Sequence, residues 1–343
     1  MSKILITGGA GFIGCNVAAH HLRRGDTVWV FDNLSRVGAQ HNLDWLRSMD
    51  CAELTFVKGD VRDMDALVAA LGCAPDRLYH LAGQVAVTSS VTDPRTDFEQ
   101  NALGTFNVLE ATRLHAPETI FLYASTNKVY GDMVATQVVE RETRYAYRDL
   151  PQGIAEDQPL DFHSPYGCSK GCGDQYVRDY ARIYGLRTVV MRQSCIYGPR
   201  QFGVEDQGWV AHFCIAARQG RPITIYGDGK QVRDVLWMED LMAAYDAAVE
   251  RIDTVAGDVF NIGGGPDHTV SIGREFRPML EALAGHPLEF HSGPWRPGDQ
   301  RIYCSDIRKA QRDLDWHPQT DFASGLRQLW EWIGEQFGPP ACG

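Results

Sequence analysis

The sequence lacks the features of a membrane protein, a disulfide framework or a nucleic-acid-binding protein. Its 343 residues contain no apolar run that approaches the length of a membrane span. Nine cysteines are scattered without the paired spacing of metal sites. An apolar strand pattern beginning at residue 3 leaves no room for a secretory signal. Acidic residues outnumber basic ones by 44 to 33. These absences predict a cytoplasmic protein with no metal site, no membrane partner and no nucleic-acid partner.

Internal repeats and low-complexity segments are also missing, while 44% of the residues are hydrophobic. A chain of this length can bury one large core or two unequal ones. Short apolar strand patterns alternate with helical patterns, which is the order expected of βαβ units. The predicted strands are 3–7, 27–31, 54–57, 78–81, 120–123, 187–192 and 259–262. The predicted fold class is therefore α/β, with a doubly wound parallel sheet.

A glycine-rich turn follows the first predicted strand. The run KILIT is typical of a buried parallel strand, and GGAGFIG comes directly after it. Glycines in this spacing permit a tight turn, close approach of the backbone to a pyrophosphate, and close packing of the next helix. We therefore predict a Rossmann fold in which the cofactor contacts Gly8, Gly11, Phe12, Ile13 and Gly14.

The second predicted strand ends in Asp32, about 20 residues beyond the glycine turn, which is the position expected of a carboxylate that binds the adenosine ribose. A carboxylate at this position favours NAD over NADP. Arg36 is the opposing signal, because a nearby arginine can accommodate a 2′-phosphate. Asn33, Ser35 and Arg36 lie in the same turn and are included in the predicted cofactor site.

Further predicted cofactor contacts follow the third, fourth and fifth strands. Asp60 is expected near the adenine amino group, although a turn or capping role is an equal alternative. Asn101 lies on a helix predicted for 97–115, where it either lines the site or supports it as a buried polar group. That helix is expected to pack against the helix of Tyr166 or across a subunit boundary. The predicted contacts in these segments are Asp60, Val61, Leu81, Ala82, Gly83, Gln84, Asn101 and Ser125.

Tyr166 and Lys170 stand four residues apart in the run SPYGCSK. The run predicts the first turns of a helix, with Ser164 as N-cap and Pro165 at the first helical position. Both side chains then share one helical face. The nearby ammonium is expected to lower the tyrosine pKa from its usual value near ~10, which makes the phenol a candidate general base. The same spacing occurs on ordinary amphipathic helices, so this prediction depends on the cofactor motif.

The pattern changes after Arg192, where glycine, proline and tryptophan become more frequent. A terminal amphipathic helix carries Leu326, Leu329, Trp330 and Ile333. We predict a cofactor domain of 1–193 plus about 234–262, a smaller discontinuous C-terminal lobe for the substrate, of about 194–233 plus 263–337, and a disordered tail at 338–343. The polar segment 132–163 is either a lid over the site or a solvated surface loop.

The runs GGAGFIG, DNLSR, STNKVYG and SPYGCSK, with Gly198, Arg233 and RPGD at 296–299, resemble the extended short-chain dehydrogenase/reductase family of sugar-nucleotide epimerases and dehydratases. The resemblance covers nearly the whole chain. It implies NAD as cofactor, Tyr166 as base, Lys170 as the residue that holds the nicotinamide ribose, and Thr126 as the hydrogen-bond partner of the reacting hydroxyl. It also implies that Arg233 and Arg296 contact a substrate diphosphate; an exposed surface role is their alternative. The expected substrate contacts are Thr88, Thr126, Asn127, Ser194, Gln207, Trp209, Arg233, Arg296 and Asp299.

The two residues after Thr126 narrow the reaction that the resemblance implies. Dehydratases of the family carry an acidic pair there, because expelling a hydroxyl requires a general acid and a general base. This chain has Asn127 and Lys128 instead, which favours epimerisation through a keto sugar. The runs STNKVYGD, DFHSPYGCSKG and GKQVRDVL resemble members that act at carbon 2 of a CDP-hexose. The expected partner is thus a nucleotide-diphosphate sugar, with a CDP-hexose favoured, and the expected assembly is a homodimer or homotetramer.

Three alternatives to this reaction stay open at the level of the sequence. A different 2- or 4-epimerase would use the same residues on another nucleotide sugar, and a 4,6-dehydratase or decarboxylase would add a second step. A catalytically silent NAD-sensing scaffold would keep the glycine turn but tends to lose the tyrosine or the lysine. Thr126, Tyr166 and Lys170 are all present, which argues against a scaffold.

Overall fold

The computed structural model describes residues 1–51, 53–296 and 298–338. Its strands, in chain order, are β1 Lys3–Thr7, β2 Thr27–Asp32, β3 Leu54–Lys58, β4 Arg77–His80, β5 Ile120–Thr126, β6 Val138–Glu140, β7 Tyr145–Tyr147, β8 Thr188–Gln193, β9 Ile196–Tyr197, β10 Ile223–Tyr226, β11 Val232–Asp234, β12 Leu236–Trp237, β13 Val259–Ile262, β14 Thr269–Ser271, β15 Phe290–Gly293 and β16 Ile302–Tyr303.

The α-helices are α1 Phe12–Arg23, α2 Ala39–Arg47, α3 Met64–Leu71, α4 Val87–Thr92, α5 Pro94–Phe98, α6 Gly104–His115, α7 Ser164–Tyr184, α8 Trp209–Arg218, α9 Met238–Glu250, α10 Ile252–Val255, α11 Phe276–Ala284, α12 Arg308–Leu314 and α13 Phe322–Phe337. A π-helical turn, Glu99–Leu103, joins α5 to α6, and 3₁₀ turns lie at Asn127–Tyr130 and Pro266–His268. None of the described helices is long and apolar enough to cross a membrane.

Seven strands form one parallel sheet in the order β13-β8-β5-β4-β1-β2-β3. All seven are the strands predicted from the sequence, so the predicted doubly wound α/β fold is confirmed. The chain runs outward in one direction from β1 and in the other from β4. The carboxyl ends of β1 and β4 therefore flank the switch point, where open α/β sheets bind ligands.

The two faces of this sheet have separate cores because side chains alternate along each strand. Ile4 and Ile6 point to one face and pack with residues of α1, α2 and α9. Leu5 points to the other face and packs with residues of α3, α6 and α7. Both faces are covered, which explains why the strands read as continuous apolar runs rather than as alternating ones.

The lobe has its own core, formed mainly by α8, α11 and α13. Leu326, Leu329, Trp330 and Ile333 are all buried in it, as their helical spacing predicted. Small sheets complete the lobe, with strand orders β10-β15 and β14-β11-β16. Strand β13 returns to the large sheet as predicted, while the exact domain limits remain a prediction.

Segment 132–163, all of which the structure describes, packs on the lobe. Its hairpin pairs β6 with β7, and the Tyr145 N–H donates to the Lys230 carbonyl at 3.0 Å. Arg144 forms an ion pair with Glu275. These contacts argue against a freely solvated loop. No residue of this described segment lines the main cavity, and a role as a lid stays a prediction. Helix α13 ends at Phe337, and residues 339–343 of the predicted tail lie outside the described residues.

Candidate active site

One cavity of about 560 Å³ lies between the carboxyl edge of the sheet and the lobe. It is lined by most of the residues that the sequence singled out. The predicted cofactor residues that line it are Gly8, Gly11, Phe12, Ile13, Gly14, Asp32, Asn33, Ser35, Arg36, Asp60, Val61, Leu81, Ala82, Gly83, Gln84, Ser125, Tyr166 and Lys170. The predicted substrate residues that line it are Thr88, Thr126, Asn127, Gln207, Trp209, Arg233, Arg296 and Asp299.

The glycine turn is a cradle with no room for side chains at two positions. Gly8 has a φ of +70°, and a Cβ there would lie 2.6 Å from the Ala82 nitrogen. A Cβ at Gly14 would lie 2.2 Å from the Gly8 carbonyl oxygen. At Gly11 the nearest atom would be 3.1 Å away, which is tight but tolerable. Gly8 and Gly14 thus let α1 begin directly against the end of β1, where its N-terminus can face a phosphate.

Asp32 lies at the end of β2, beside this turn. Its two carboxylate oxygens accept hydrogen bonds from the N–H groups of Ala10 at 3.0 Å and Leu34 at 2.7 Å. Partial burial raises the pKa of Asp32, and these two hydrogen bonds oppose that rise. Each oxygen keeps a second lone pair that can accept a hydroxyl. Arg36 donates to Gln207 in the lobe, so its guanidinium is engaged across the cavity.

Asp60 makes local hydrogen bonds, which fits the turn or capping role considered as the alternative to a cofactor contact. Its carboxylate accepts two hydrogen bonds from the Arg62 guanidinium at 2.9 Å and one from Asn33 at 2.9 Å. These bonds hold the pKa of Asp60 well below its usual range, and those from Arg62 have the largest effect. A contact of Asp60 with an adenine amino group stays a prediction.

Asn101 is not among the residues that line the cavity, and its direct contact with the cofactor stays a prediction. It is 1% exposed, and its amide exchanges two hydrogen bonds with the backbone N–H and carbonyl of Gln84, at 2.9 and 3.1 Å. It also donates to Asp97 and Ser169. Asn101 therefore supports the segment 81–84 from behind, which was the alternative considered for it.

Ser194 is the second predicted contact that the structure moves away from the cavity. Its hydroxyl donates to the buried carboxylate of Asp234 at 2.5 Å, and the residue is 1% exposed. Its neighbours Gln193 and Cys195 line the cavity instead. Side chains in an extended chain point alternately to opposite sides. Following that alternation onward from β8 would have predicted that Gln193 and Cys195, rather than Ser194, face the cavity.

Tyr166 lies on the first turn of α7, where the Ser164 hydroxyl accepts a hydrogen bond from the Gly167 N–H at 3.2 Å. The expected lowering of the tyrosine pKa is not found in the protein alone. Burial raises the pKa of Tyr166 to about 12; the Thr126 hydroxyl opposes this rise, Asp97 adds to it, and the charge of Arg36 opposes it. The phenol is thus close to Thr126, as predicted, but it is not a ready base without further positive charge.

The Lys170 ammonium does not offset the effect of burial on the tyrosine pKa. Its ammonium donates to the Ala124 carbonyl at 2.6 Å and lies 4.3 Å from the centroid of the Tyr123 ring. Burial lowers the pKa of Lys170 to about 7, against the opposing charges of Asp174 and Asp97. The lysine therefore contacts the strand end that carries Thr126 rather than the phenol oxygen.

A buried polar network holds the end of β5, and the sequence reasoning missed it. The Ser125 hydroxyl donates to Asp174 at 2.7 Å, and Asp174 accepts two hydrogen bonds from Arg192 at 2.9 Å. Arg192 also donates to the Tyr130 hydroxyl at 3.0 Å. The four groups lie on β5, the turn after it, α7 and β8, so the network ties these elements together beneath Thr126.

The substrate side of the cavity is held by ion pairs from distant parts of the chain. Arg233 pairs with Asp299, and Arg296 lies between Glu205 and Asp206. The Arg296 guanidinium also lies 3.7 Å from the centroid of the Tyr226 ring. The buried Thr88 hydroxyl and the Trp209 indole N–H have no hydrogen-bond partner among the described residues. A polar ligand can therefore bind here without displacing protein contacts of these two groups.

Lys128 also lines the cavity, and it was not among the predicted contacts. The sequence reasoning used it only as evidence against an acidic residue at that position. Among the described residues, no group of three or more His, Cys, Asp or Glu side chains is arranged to hold a metal ion.

Residues 5–329 match the model of a family described as GDP-mannose 4,6 dehydratase. The chain is 46% identical over 336 residues to the CDP-paratose 2-epimerase of Salmonella typhi, covering 96% of this chain and 98% of the relative. The structure of UDP-glucose 4-epimerase from Thermotoga maritima with UDP-glucose has a TM-score of 0.83 at 30% identity, over 97% of this chain and 99% of that one. UDP-glucose 4-epimerase from Thermus thermophilus in complex with NAD has a TM-score of 0.81 at 31% identity, over 96% and 98%. Each similarity spans both the sheet and the lobe.

Proposed function

The chain belongs to the family described as GDP-mannose 4,6 dehydratase, and we propose that within this family it is an NAD-dependent nucleotide-sugar epimerase that acts at carbon 2 of a CDP-hexose. The observation that carries the proposal is that Thr126, Tyr166 and Lys170 line the same cavity as the glycine turn and Asp32. The favoured substrate is CDP-paratose, because the Salmonella typhi relative is named for it and matches almost the entire chain.

The residues around the glycine turn fit NAD. The turn leaves open the space that side chains at Gly8 and Gly14 would fill, and the N-terminus of α1 begins there. Asp32 offers oxygen lone pairs to two ribose hydroxyls, whereas a 2′-phosphate would meet its negative charge. When bound, NAD supplies the acceptor for the hydrogen of the reacting carbon and gives that hydrogen back.

Tyr166 removes the proton from the reacting hydroxyl and holds it until the second half of the reaction. Thr126 orients that hydroxyl through a hydrogen bond. The phenol must lose its proton below its free-enzyme pKa of about 12, so bound positive charge has to supplement the residues present. Lys170 would hold the nicotinamide ribose of bound NAD, and the positive charge brought by the lysine and by the oxidised cofactor would together favour the ionised phenol. The keto sugar then turns, and Tyr166 returns its proton to the oxygen.

Asn127, in the place of an acidic residue, supports epimerisation over dehydration. Elimination of a hydroxyl needs a base and an acid beside the sugar. Asn127 is an amide, and its oxygen accepts the Thr126 hydroxyl at 3.3 Å, so it cannot serve as either. The alternatives are another 2- or 4-epimerase, a 4,6-dehydratase or a decarboxylase, and the name of the matched family keeps the dehydratase among them.

Product analysis by NMR after turnover in deuterated water tests the proposal. We expect CDP-paratose to be inverted at carbon 2, with protium kept at that carbon and no net NADH formed. CDP-, UDP-, GDP- and dTDP-sugars incubated in parallel identify the base and the reacting carbon. Deuterium at the inverted carbon would indicate deprotonation chemistry, and a deoxy-keto product or released carbon dioxide would identify a dehydratase or a decarboxylase.

Cofactor identity is tested separately by mass spectrometry of the nucleotide released from the purified protein. We expect NAD in the native chain and a weaker preference for NAD in Asp32→Ala. NADP from the native chain would mean that Arg36 outweighs the carboxylate. A silent scaffold would release NAD but convert none of the nucleotide sugars.

We further propose that the enzyme is a homodimer or homotetramer. Exposed apolar side chains cluster on α6 and α7, where Phe106 is 36% and Tyr176 45% exposed, with ring centroids 5.8 Å apart. Ile183 and Tyr184 are exposed farther along α7. Burial of such a patch against its copy in a second subunit removes it from water. Light scattering measures the assembly, and Ile183→Asp is expected to weaken it. The cytoplasmic location stays a prediction from the sequence.

A further inference from the structure

Lys128 occupies an unusual position between the two parts of the cavity. It lies in the 3₁₀ turn directly after β5, two residues beyond Thr126. Its side chain reaches across the cavity to the segment 298–300, where the ammonium contacts the Gly298 carbonyl at 3.4 Å and the Gln300 amide oxygen at 3.3 Å. Lys128 therefore joins the catalytic strand end to the segment that carries Asp299.

The ammonium of Lys128 is poorly satisfied by these contacts. It has three N–H donors, whereas its two partners are neutral oxygens at the long end of the hydrogen-bond range. No carboxylate forms an ion pair with it among the described residues. A partly buried cation with weak neutral partners gains most from a ligand that brings negative charge.

The charged groups around Lys128 come from several elements. Arg233 on β11 repels its positive charge, while Asp299 and Asp132 attract it. Cys195 lies close as well, and burial raises the pKa of its thiol. Arg233 is itself paired with Asp299, and Asp132 lies near His163, so neither carboxylate is paired with Lys128. This part of the cavity thus holds a cation, Lys128, that no carboxylate of the described residues contacts directly.

We infer that Lys128 is a substrate-binding residue and that its ammonium, together with Arg233, binds the diphosphate of the nucleotide sugar. The inference rests on the proposed function, in that the substrate carries a diphosphate. It adds a contact that no sequence motif indicated, and it makes substrate affinity depend on pH.

The direction in which substrate affinity changes with pH follows from the pKa of Lys128 in the free enzyme. Burial lowers the pKa of Lys128 to about 8, and the repulsion from Arg233 contributes to that lowering. A bound diphosphate favours the charged form and raises the pKa. Binding therefore takes up a proton above about pH 8, and affinity should fall up to about tenfold for each pH unit there. Below about pH 7 the lysine is already charged, so affinity should be nearly constant.

Calorimetric titration of the NAD-loaded enzyme with CDP, between pH 7 and 9, tests the inference without requiring turnover. Two buffers of different ionisation enthalpy report the number of protons taken up. The native enzyme should take up a fraction of a proton near pH 8.5. Lys128→Met should bind CDP roughly 10- to 100-fold more weakly at pH 7, with the uptake lost. Lys128→Arg should keep the affinity and lose the uptake, because its guanidinium is always charged.

Lys309→Met is the matched control, because Lys309 pairs with Asp258 beside the edge strand β13 and does not line the cavity. It should titrate like the native enzyme. Unchanged affinity and proton uptake in Lys128→Met would overturn the inference, and so would a loss of affinity in Lys128→Arg equal to that in Lys128→Met. If UDP binds as tightly as CDP with the same uptake, Lys128 keeps its role and the proposed base specificity fails instead.

Discussion

The cofactor half and the substrate half of the cavity are built in different ways. The cofactor half comes from short contiguous runs at strand ends, and its critical contacts are made by backbone atoms, as at Gly8, Gly14 and Asp32. The substrate half brings together Lys128, Arg233 and Arg296 from distant parts of the chain. These cations are held by carboxylates and carbonyls of the protein itself.

The difference in construction determines which substitutions each half of the cavity can tolerate. Backbone contacts in the cofactor half leave no space for added atoms, so substitution there is a steric problem. Side-chain ion pairs in the substrate half can exchange partners, since a bound anion can replace Asp299 or Glu205 as the partner of an arginine. We therefore expect substitutions in the cofactor half to abolish binding of the cofactor, and substitutions in the substrate half to change substrate affinity by degrees.

Tyr166→Phe should have the largest effect and lies where the two halves meet. The substitution keeps the packed ring but removes the oxygen that holds the proton, so turnover should fall roughly 10²- to 10⁴-fold. NAD content and thermal stability should change little. Rate measurements under saturating substrate, with released NAD quantified, check both expectations. Near-native turnover would mean that Tyr166 is only a packed aromatic residue and that another group acts as the general base.

Gly14→Ala should break the cofactor half alone. Its Cβ would lie 2.2 Å from the Gly8 carbonyl oxygen, so the turn or α1 must shift, at a cost of about 1–3 kcal/mol. We expect loss of bound NAD and a lower free energy of unfolding in denaturant titrations. Gly72→Ala is the matched control, because it adds a methyl group 3.0 Å from its nearest atom at a position that does not line the cavity. Equal effects of the two variants would mean that steric closeness at Gly14 does not decide cofactor binding.

Arg233→Gln should weaken substrate binding and leave NAD binding unchanged. The amide cannot replace a charge-assisted hydrogen bond to a diphosphate, so KM should rise roughly tenfold while NAD content stays native. Steady-state kinetics combined with cofactor quantification measures both. If NAD were lost as well, the two halves would not be separable in the way their construction suggests.

His80→Gln should have the smallest effect at neutral pH, and it tests the strand end beneath both halves. His80 is fully buried and hydrogen-bonded to Thr7 and Thr105, and burial lowers its pKa to about 3. In the unfolded chain a histidine takes up a proton below about pH 6.5, so this group makes the native protein less stable as the pH falls towards 3.

We expect that slope, about 1.4 kcal/mol for each pH unit from one histidine, to disappear in His80→Gln. Denaturant titrations at several values between pH 4 and 7 measure it. His21, whose pKa burial also lowers, is unchanged in this variant and keeps its own contribution. An identical slope in native and variant protein would show that His80 is not neutral in the fold.

The strands of the main sheet were predictable because the signals for them are local. Apolar runs of four to seven residues, bounded by glycine and polar turns, are sufficient for buried parallel strands. Boundaries were less accurate where pairing with a remote strand decides them. Strand β5 continues to Thr126 rather than ending at Tyr123, because its last three residues stay paired with β8. The pairs are Ala124 with Met191, Ser125 with Arg192 and Thr126 with Gln193.

The position of the glycine turn and Asp32 in the cavity was predictable for the same reason, since both lie in motifs whose spacing reflects backbone geometry. Two predicted site residues that do not line the cavity, Asn101 and Ser194, carry polar side chains that could face either the cavity or the interior. Both are 1% exposed and hydrogen-bonded to the protein. Sequence pattern alone does not tell which polar groups the surrounding backbone will satisfy.

Local sequence was enough to specify the order of strands and helices, the glycine turn, the acidic end of β2, and the tyrosine and lysine on one helix. Three features of the site emerged only when the chain was folded: the direction of the Lys170 ammonium, the high pKa of Tyr166, and the position of Lys128 beside Arg233. The predictable features and the unpredictable ones differ in how far along the chain the residues that determine them lie. Backbone conformation responds to neighbouring residues, whereas burial and charge at a site depend on groups that folding brings from remote parts of the chain.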